Sequence, residues 1–216
     1  MNKPQKHSPL FVTFEGIDGC GKSTLISHLM QRLKDAHIDF IQTREPGGTL
    51  LGEDIRSLLL DPLNQNMCQR TEVLLYTASR AQLVEEKIQP ALEAGLWVLS
   101  DRFTDATLAY QGYGRGLSLR FLESLQSWAT GEVRPHRTIL LDCDVSVAWQ
   151  RMNSRTGKAD RMEREKRSFH ERVRLGYLEL ARRDPSRFLV LNAELSLGEV
   201  ADQFDSLFWS SFKREA

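Results

Sequence analysis

The residues best placed by type and spacing to do chemistry form one run, Gly16-Ile17-Asp18-Gly19-Cys20-Gly21-Lys22-Ser23, a full match to G-x-x-x-x-G-K-[ST]. Glycines let a backbone wrap closely around a phosphate chain, and successive N–H groups with a helix N-terminus form an anion nest. In that frame Lys22 reaches the β- and γ-phosphates of a nucleotide and the Ser23 hydroxyl ligates Mg²⁺. Gly16 to Thr24 together make the expected nucleotide cradle. The run follows an apolar strand and opens a helix, the context the motif requires. That context disfavours the plainer reading, a glycine-rich turn capping a helix.

A second carboxylate belongs near the metal. Leu96-Trp97-Val98-Leu99-Ser100-Asp101 is an apolar strand ending in an acid, and ligands of open α/β sheets lie at the carboxyl ends of strands. Asp101 is the metal-side candidate, acting through bound water because Mg²⁺ keeps several waters. On the strand pattern alone, a turn or helix-capping Asp is an equal alternative.

The elements that must position these groups alternate in type. Candidate strands are Leu10–Phe14, Ile38–Gln42, Leu96–Ser100, Thr138–Asp142 and Phe188–Asn192, each a nearly continuous apolar run as in strands covered on both faces. Between them lie helical segments, Lys22–Ala36, Leu50–Leu60, Arg70–Ala94, Ser118–Thr130, Val145–Asn153, Met162–Arg183 and Ser196–Phe212. In the Met162–Arg183 segment, Phe169, Val173, Tyr177 and Leu180 form one apolar stripe. The alternation predicts an α/β fold on a parallel sheet. One domain over 10–216 is expected after a polar, disordered lead-in at 1–9.

Composition narrows the function class. Lys plus Arg and Asp plus Glu each number 29, so no global basic field favours nucleic acid. The longest stretch free of charged residues is nine, too short to span a membrane. Three scattered cysteines without a C-x-x-C pair read as reduced thiols of a cytoplasmic protein, and the five histidines show no metal-ligand spacing. A guanine-nucleotide switch would need N-K-x-D and a separate D-x-x-G; the D-x-x-G string present, Asp18 to Gly21, lies inside the loop itself. A partition-type ATPase usually carries an early second lysine, and position 17 is Ile.

Further motifs converge. Thr43-Arg44-Glu45-Pro46-Gly47-Gly48-Thr49 follows the second strand, Asp101-Arg102-Phe103 ends the third, and Ala109-Tyr110-Gln111-Gly112 comes just after. With Phe14-Glu15-Gly16 to Thr24, this ordered set resembles the thymidylate kinases, which phosphorylate dTMP to dTDP, from about Leu10 to the last helix. The resemblance implies a three-layer P-loop fold with a five-stranded parallel sheet, a short basic lid, MgATP and dTMP as small-molecule ligands, and a homodimer. Another nucleoside or nucleotide kinase of the same fold, and a nucleotide-binding regulatory protein without turnover, are the alternatives.

The resemblance also assigns roles. Arg44 and Arg102 grip the acceptor phosphate, for which guanidinium forks are suited. Tyr76 stacks on the pyrimidine and Arg80, four residues on, hydrogen-bonds it; by periodicity alone an aromatic at 76 reads as core. Thr107 and Gln111 are polar partners of the base, Tyr110 crowds the sugar 2′ position, and Asp18 holds the 3′-hydroxyl. Tyr76 stands where the family usually has Phe, and Ala106-Thr107 where many relatives have Ser-Thr. Gly19 stands where one branch carries a catalytic Arg, so positive charge must come from elsewhere. Arg151–Arg174 holds nine basic against four acidic residues. Within it, about 152–162 resembles the lid of the bacterial branch, with Arg155 the first choice as catalyst and Arg161 the second, contacting ATP. Lys22, Arg102, Arg155 and Asp18 are thus the expected catalytic set.

Overall fold

The computed structural model describes residues 8–154 and 159–212. Five strands, β1 (Phe11–Glu15), β2 (Phe40–Arg44), β3 (Trp97–Asp101), β4 (Arg137–Asp142) and β5 (Phe188–Asn192), pair in parallel in the order β2-β3-β1-β4-β5. Side chains alternate across each strand, so β1 sends Val12 and Phe14 into one apolar cluster and Phe11 into the other. The larger cluster lies with α1 (Lys22–Asp35), α8 (Arg167–Arg183) and α9 (Leu197–Phe212); the smaller lies with the segment Leu83–Ala91. Helices therefore cover both faces, as the alternation predicts. β1 is buried throughout and β3 and β4 are half-buried only at their ends, whereas on the edge strands Gln42 and Val190 are exposed, because an edge has fewer neighbours to cover it.

Pairing register explains why the chemistry collects at one edge. Asp101 aligns with Phe14 on one side and Arg44 on the other. The loops leaving β1, β2 and β3 thus emerge side by side, at the carboxyl ends where order departs from sequence.

Several helices follow their local signals. The α2 helix (Leu50–Leu60) starts at Thr49, whose hydroxyl accepts from Gly52 N–H at 3.0 Å. α9 is preceded by a reciprocal cap in which Ser196 N–H donates to Glu199 at 3.0 Å and Glu199 N–H to Ser196 Oγ at 3.4 Å. The expected Arg70–Ala94 helix is a continuous rod of three parts: α3 (Gln69–Leu83), a wider π turn at Val84–Ile88, and α4 (Gln89–Glu93). Pro90 has no N–H to return to the preceding turn, and the widening just ahead of it accommodates that loss.

Two expectations are corrected. The Met162–Arg183 helix begins at Arg167, because Asp160 Oδ1 accepts from the Met162 and Glu163 N–H groups at 2.8 and 2.9 Å and holds them in a separate turn. The apolar stripe Phe169, Val173, Tyr177 and Leu180 is buried as its period demands. The segment after β3, with no helix anticipated, forms α5 (Thr104–Thr107) running into a π-helical stretch, Leu108–Gly114. Further on come α6 (Leu119–Ala129) and α7 (Val145–Asn153). Among the described residues no helix is long and apolar enough to cross a membrane.

Candidate active site

The loop between β1 and α1 is shaped by close approach. Gly16 and Gly19 sit at φ 132° and 87°, and a Cβ would lie 2.5 Å from Leu141 O at the first and 2.3 Å from Ala148 O at the second. α1 begins at Gly21 without a side-chain cap or an acid in its first turn, so its leading N–H groups face outward with a positive partial charge. Lys22 is folded back, its ammonium donating to Gly16 O and Ile17 O at 3.1 Å each.

One cavity opens beside this loop. It is lined by Asp18, Gly19, Gly21, Lys22 and Ser23, by Arg44, Asp101 and Arg102 from the strand ends, and by Tyr76, Arg80, Thr107, Tyr110 and Gln111 from the helical wall. Asp160, Met162 and Glu163 line it too, so sequence positions from Asp18 to Glu163 meet in one hollow. Gly16, Ile17, Cys20 and Thr24 lie outside its lining; Cys20 and Thr24, with Gly21, border a second, smaller hollow also lined by His28, Arg151, Leu195 and Leu197. Arg155 lies outside the described residues.

Arg102 is anchored through both its backbone and its side chain. Its backbone adopts the left-handed region at φ 74°, which non-glycine residues rarely occupy. Three bonds hold it there: Arg102 N–H to Phe14 O at 3.0 Å, Ser100 Oγ to Arg102 O at 2.7 Å, and Phe103 N–H to Glu15 Oε1 at 2.7 Å. The guanidinium then donates to Gly16 O at 2.8 Å, Asp18 Oδ1 at 2.7 Å, and the Tyr177 and Tyr110 hydroxyls at 3.0 and 3.1 Å. Tyr110 in turn donates to Asp18 Oδ2 at 3.2 Å. Burial alone would push the Asp18 carboxyl up, but Arg102 and Lys22 outweigh it and hold it well below the usual carboxylate range.

Glu15, which the sequence reading left without a role, is fully buried behind this arginine with Tyr177 Oη 2.7 Å from its Oε2. Burial, reinforced by Asp105, pushes its carboxyl up to about 8. Arg44 is exposed on the cavity rim and pairs with Glu53 at 3.0 Å. The same Glu53 accepts from Gly48 N–H at 2.8 Å, so it orders both ends of the β2–α2 turn.

The wall opposite carries the remaining expected residues. Arg80 is buried with every donor engaged: Nε and Nη2 on Glu45 Oε2 at 2.7 and 2.5 Å, Nη1 on Thr107 Oγ1 at 2.8 Å and on Gln126, Nη2 on Phe103 O at 3.0 Å. It reaches the cavity as a brace whose donors are spoken for, not as a free fork. Arg161, expected to face ATP, is buried elsewhere: Nε donates to Leu59 O at 2.6 Å and Nη1 to Glu72 Oε2 at 2.6 Å. Glu72, Arg115 and Glu15 have no assigned role in the sequence analysis; Glu72 and Glu15 sit within a helical and a strand pattern and Arg115 just past a helical stretch, and only tertiary placement reveals their partners.

The metal question can be tested on this geometry. Among the described residues no group of three or more His, Cys, Asp or Glu could hold an ion. Asp101 Oδ1, however, is buried without a hydrogen-bond partner, and Ser23 lines the same cavity. One hydroxyl and one unpaired carboxylate oxygen fit an ion that takes most of its ligands from water and phosphate.

The chain is similar to known proteins over most of its length. The family model described as thymidylate kinase matches residues 14–204. Among curated relatives, the thymidylate kinase of Geobacter sulfurreducens is 52% identical over 201 residues, covering 89% of this chain and 94% of the relative. That of Symbiobacterium thermophilum is 50% identical, covering 88% of each. A third, from Kosmotoga olearia, is 46% identical over 95% of this chain and 98% of its own.

Proposed function

The chain belongs to the thymidylate kinase family, and from that premise we propose that it is the phosphotransferase that carries the γ-phosphoryl group of ATP to dTMP, giving dTDP and ADP. The observation that carries the reading is the bond from Arg102 to Gly16 O at 2.8 Å. A guanidinium suited to an acceptor phosphate is fastened to the loop suited to the donor's.

A nucleoside monophosphate is already ionised at neutral pH, so attack on the γ-phosphorus needs alignment and charge neutralisation more than a base. Lys22 leaves Gly16 O and Ile17 O for the β- and γ-phosphates. Arg102 and Arg44 take the acceptor phosphate, Arg44 giving up Glu53. Asp18 accepts from the 3′-hydroxyl, and Tyr110 fills the space a 2′-hydroxyl would need. Tyr76 supplies the face for the base. Because Thr107 already accepts from Arg80, its own proton is left to donate to a base oxygen. Gln111 supplies the second polar contact. Ser23 and, through water, Asp101 would hold Mg²⁺, which supplies charge neutralisation at the β- and γ-phosphates when bound. The second hollow, which shares Gly21 with the first, receives the donor's purine.

We propose a homodimer as well. Leu51 and Leu58 on α2 and Leu74 on α3 are each more than half exposed, an apolar surface on adjacent helices that a second copy would cover. Cys20, Cys68 and Cys143 are free thiols, in keeping with a reducing cytoplasm.

The test is ADP release from MgATP with dTMP, dUMP, dCMP, AMP, GMP and thymidine supplied separately. Strong turnover with dTMP and none with thymidine is the expected result. Turnover with thymidine at the dTMP rate would discard the phosphate clamp. Absence of any acceptor-dependent ADP from protein that binds ATP would favour a regulatory role.

A further inference from the structure

Behind the base-facing wall lies a buried charge cluster that the proposed chemistry does not use. Glu72, on the first turn of α3, is 1% exposed. Its Oε2 accepts from Arg161 Nη1 at 2.6 Å and Arg115 Nη2 at 3.0 Å. Its Oε1 accepts from Arg115 Nε at 3.2 Å and from the amide of Gln111 at 2.9 Å. Arg115 also pairs with Glu165 at 2.6 Å. Burial would push the Glu72 carboxyl up; Arg115, Gln111 and Arg161 outweigh it and keep it below its ordinary value.

An ionised carboxylate only accepts, whereas a glutamine amide has one end that donates and one that accepts. Glu72 therefore decides which way Gln111 faces. Its oxygen takes the NH₂ group, and Gln111 Oε1, which meets no donor among the described residues, is the end left for the cavity that Gln111 lines.

We propose that Glu72 is a specificity-determining positioning residue: by fixing the Gln111 amide it presents an acceptor that suits bases with a ring N3–H, thymine and uracil, and turns away cytosine, whose N3 is itself an acceptor. The inference rests on the dTMP-binding reading above. Arg161 belongs to the same device, since with Arg115 it makes the outer oxygen of Glu72 an obligatory acceptor.

That arrangement gives E72Q a definite effect. The outer side faces two arginine donors, at 2.6 and 3.0 Å, and the inner side only Arg115 Nε at 3.2 Å, so the substituted amide keeps its oxygen outward, gives up the longer contact and turns its NH₂ toward Gln111. Gln111 must then turn its own oxygen inward and offer NH₂ to the cavity. The experiment compares kcat/KM for dTMP, dUMP and dCMP in wild type, E72Q, E72D, Q111A and E72Q/Q111A. Ratios between substrates are independent of how much of each preparation is folded, so destabilisation alone does not move them. In E72Q the preference for dTMP over dCMP should fall by about 10-fold or more, while dTMP over dUMP, which share N3–H, stays within about twofold. In the Q111A background E72Q should cause no further change, as expected of a residue acting through another. E72D keeps the charge between the arginines but falls short of Gln111 by one methylene, so the dTMP-to-dCMP preference should fall in the same direction. Should E72Q yield no soluble enzyme, E72D decides. An unchanged dTMP-to-dCMP ratio, or equal loss on all three substrates, overturns the inference while leaving the kinase reading intact. Failure of the wild type to use dTMP at all would instead remove the reading on which it rests.

Discussion

Lys22 and Arg102, the two cations of the proposed catalytic set, differ in how they are held. Lys22 donates to two carbonyls of its own loop at 3.1 Å, with Cys20 Sγ at 3.9 Å and Asp18 at 4.0 Å as its more distant partners, contacts that a nucleotide's phosphates can replace. Lys22→Ala should therefore lower kcat by at least about 10²-fold, the scale of losing a preorganised charge donor, while thermal unfolding shifts little. A folded K22A protein with wild-type kcat would contradict the role. Arg102, by contrast, is fixed at both backbone and side chain, and Glu15 is one of its anchors through Phe103 N–H. Glu15 carries a pH signature. Its carboxyl titrates at 4.5 when free and at about 8 in the folded protein. Between those values the native state holds a proton the unfolded chain has released, so stability falls as pH rises through the window. Glu15→Gln removes that titration. The melting temperature of the wild type should drop relative to E15Q as pH goes from 4.5 to 8, and parallel curves would show that Glu15 does not titrate there.

At the scale of elements, the site depends on α8 packing against the Leu108–Gly114 stretch that carries Tyr110 and Gln111. Gly176 is a point of close approach: a Cβ there would lie 2.6 Å from Tyr113 Cβ. Gly176→Ala should cost about 1–3 kcal/mol through overpacking, and should raise KM for dTMP more than for ATP. Equal effects on both substrates would mean that the contact is structural only. This element also marks where sequence reasoning succeeds and stops. The Phe169–Leu180 stripe keeps a helical period over about three turns and is readable without a structure. The Thr104–Gly114 helix is short, widened, and holds Gly112 and Gly114, so it carries no such period and reads as loop. The start of α8 was misread because helix propensity continues through Met162–Lys166, while the Asp160 turn that interrupts it is a local side-chain bond. The strand-end arginines were legible because a motif flanks each one. Glu72 and Glu15 were not, since a lone acid in an apolar or helical run has no meaning until a partner from a distant element arrives.

Over the whole molecule, strand order does what no single motif can: it sets the loops after β1, β2 and β3 next to one another, so Lys22, Arg44 and Arg102 line one cavity. The outer surface makes its own claim. With Leu51, Leu58 and Leu74 exposed, the protein should sediment as a dimer, and Leu74→Glu should shift it toward monomer; a monomer at all concentrations would refute the proposed assembly. The central claim is transfer between two bound nucleotides in that cavity. The most direct measurement follows the label from [γ-³²P]ATP with Mg²⁺ and dTMP and separates the products. Label should appear in dTDP, in step with ADP, with little free phosphate. Label found in orthophosphate, or retained in ATP while dTMP stays unchanged, would contradict the account.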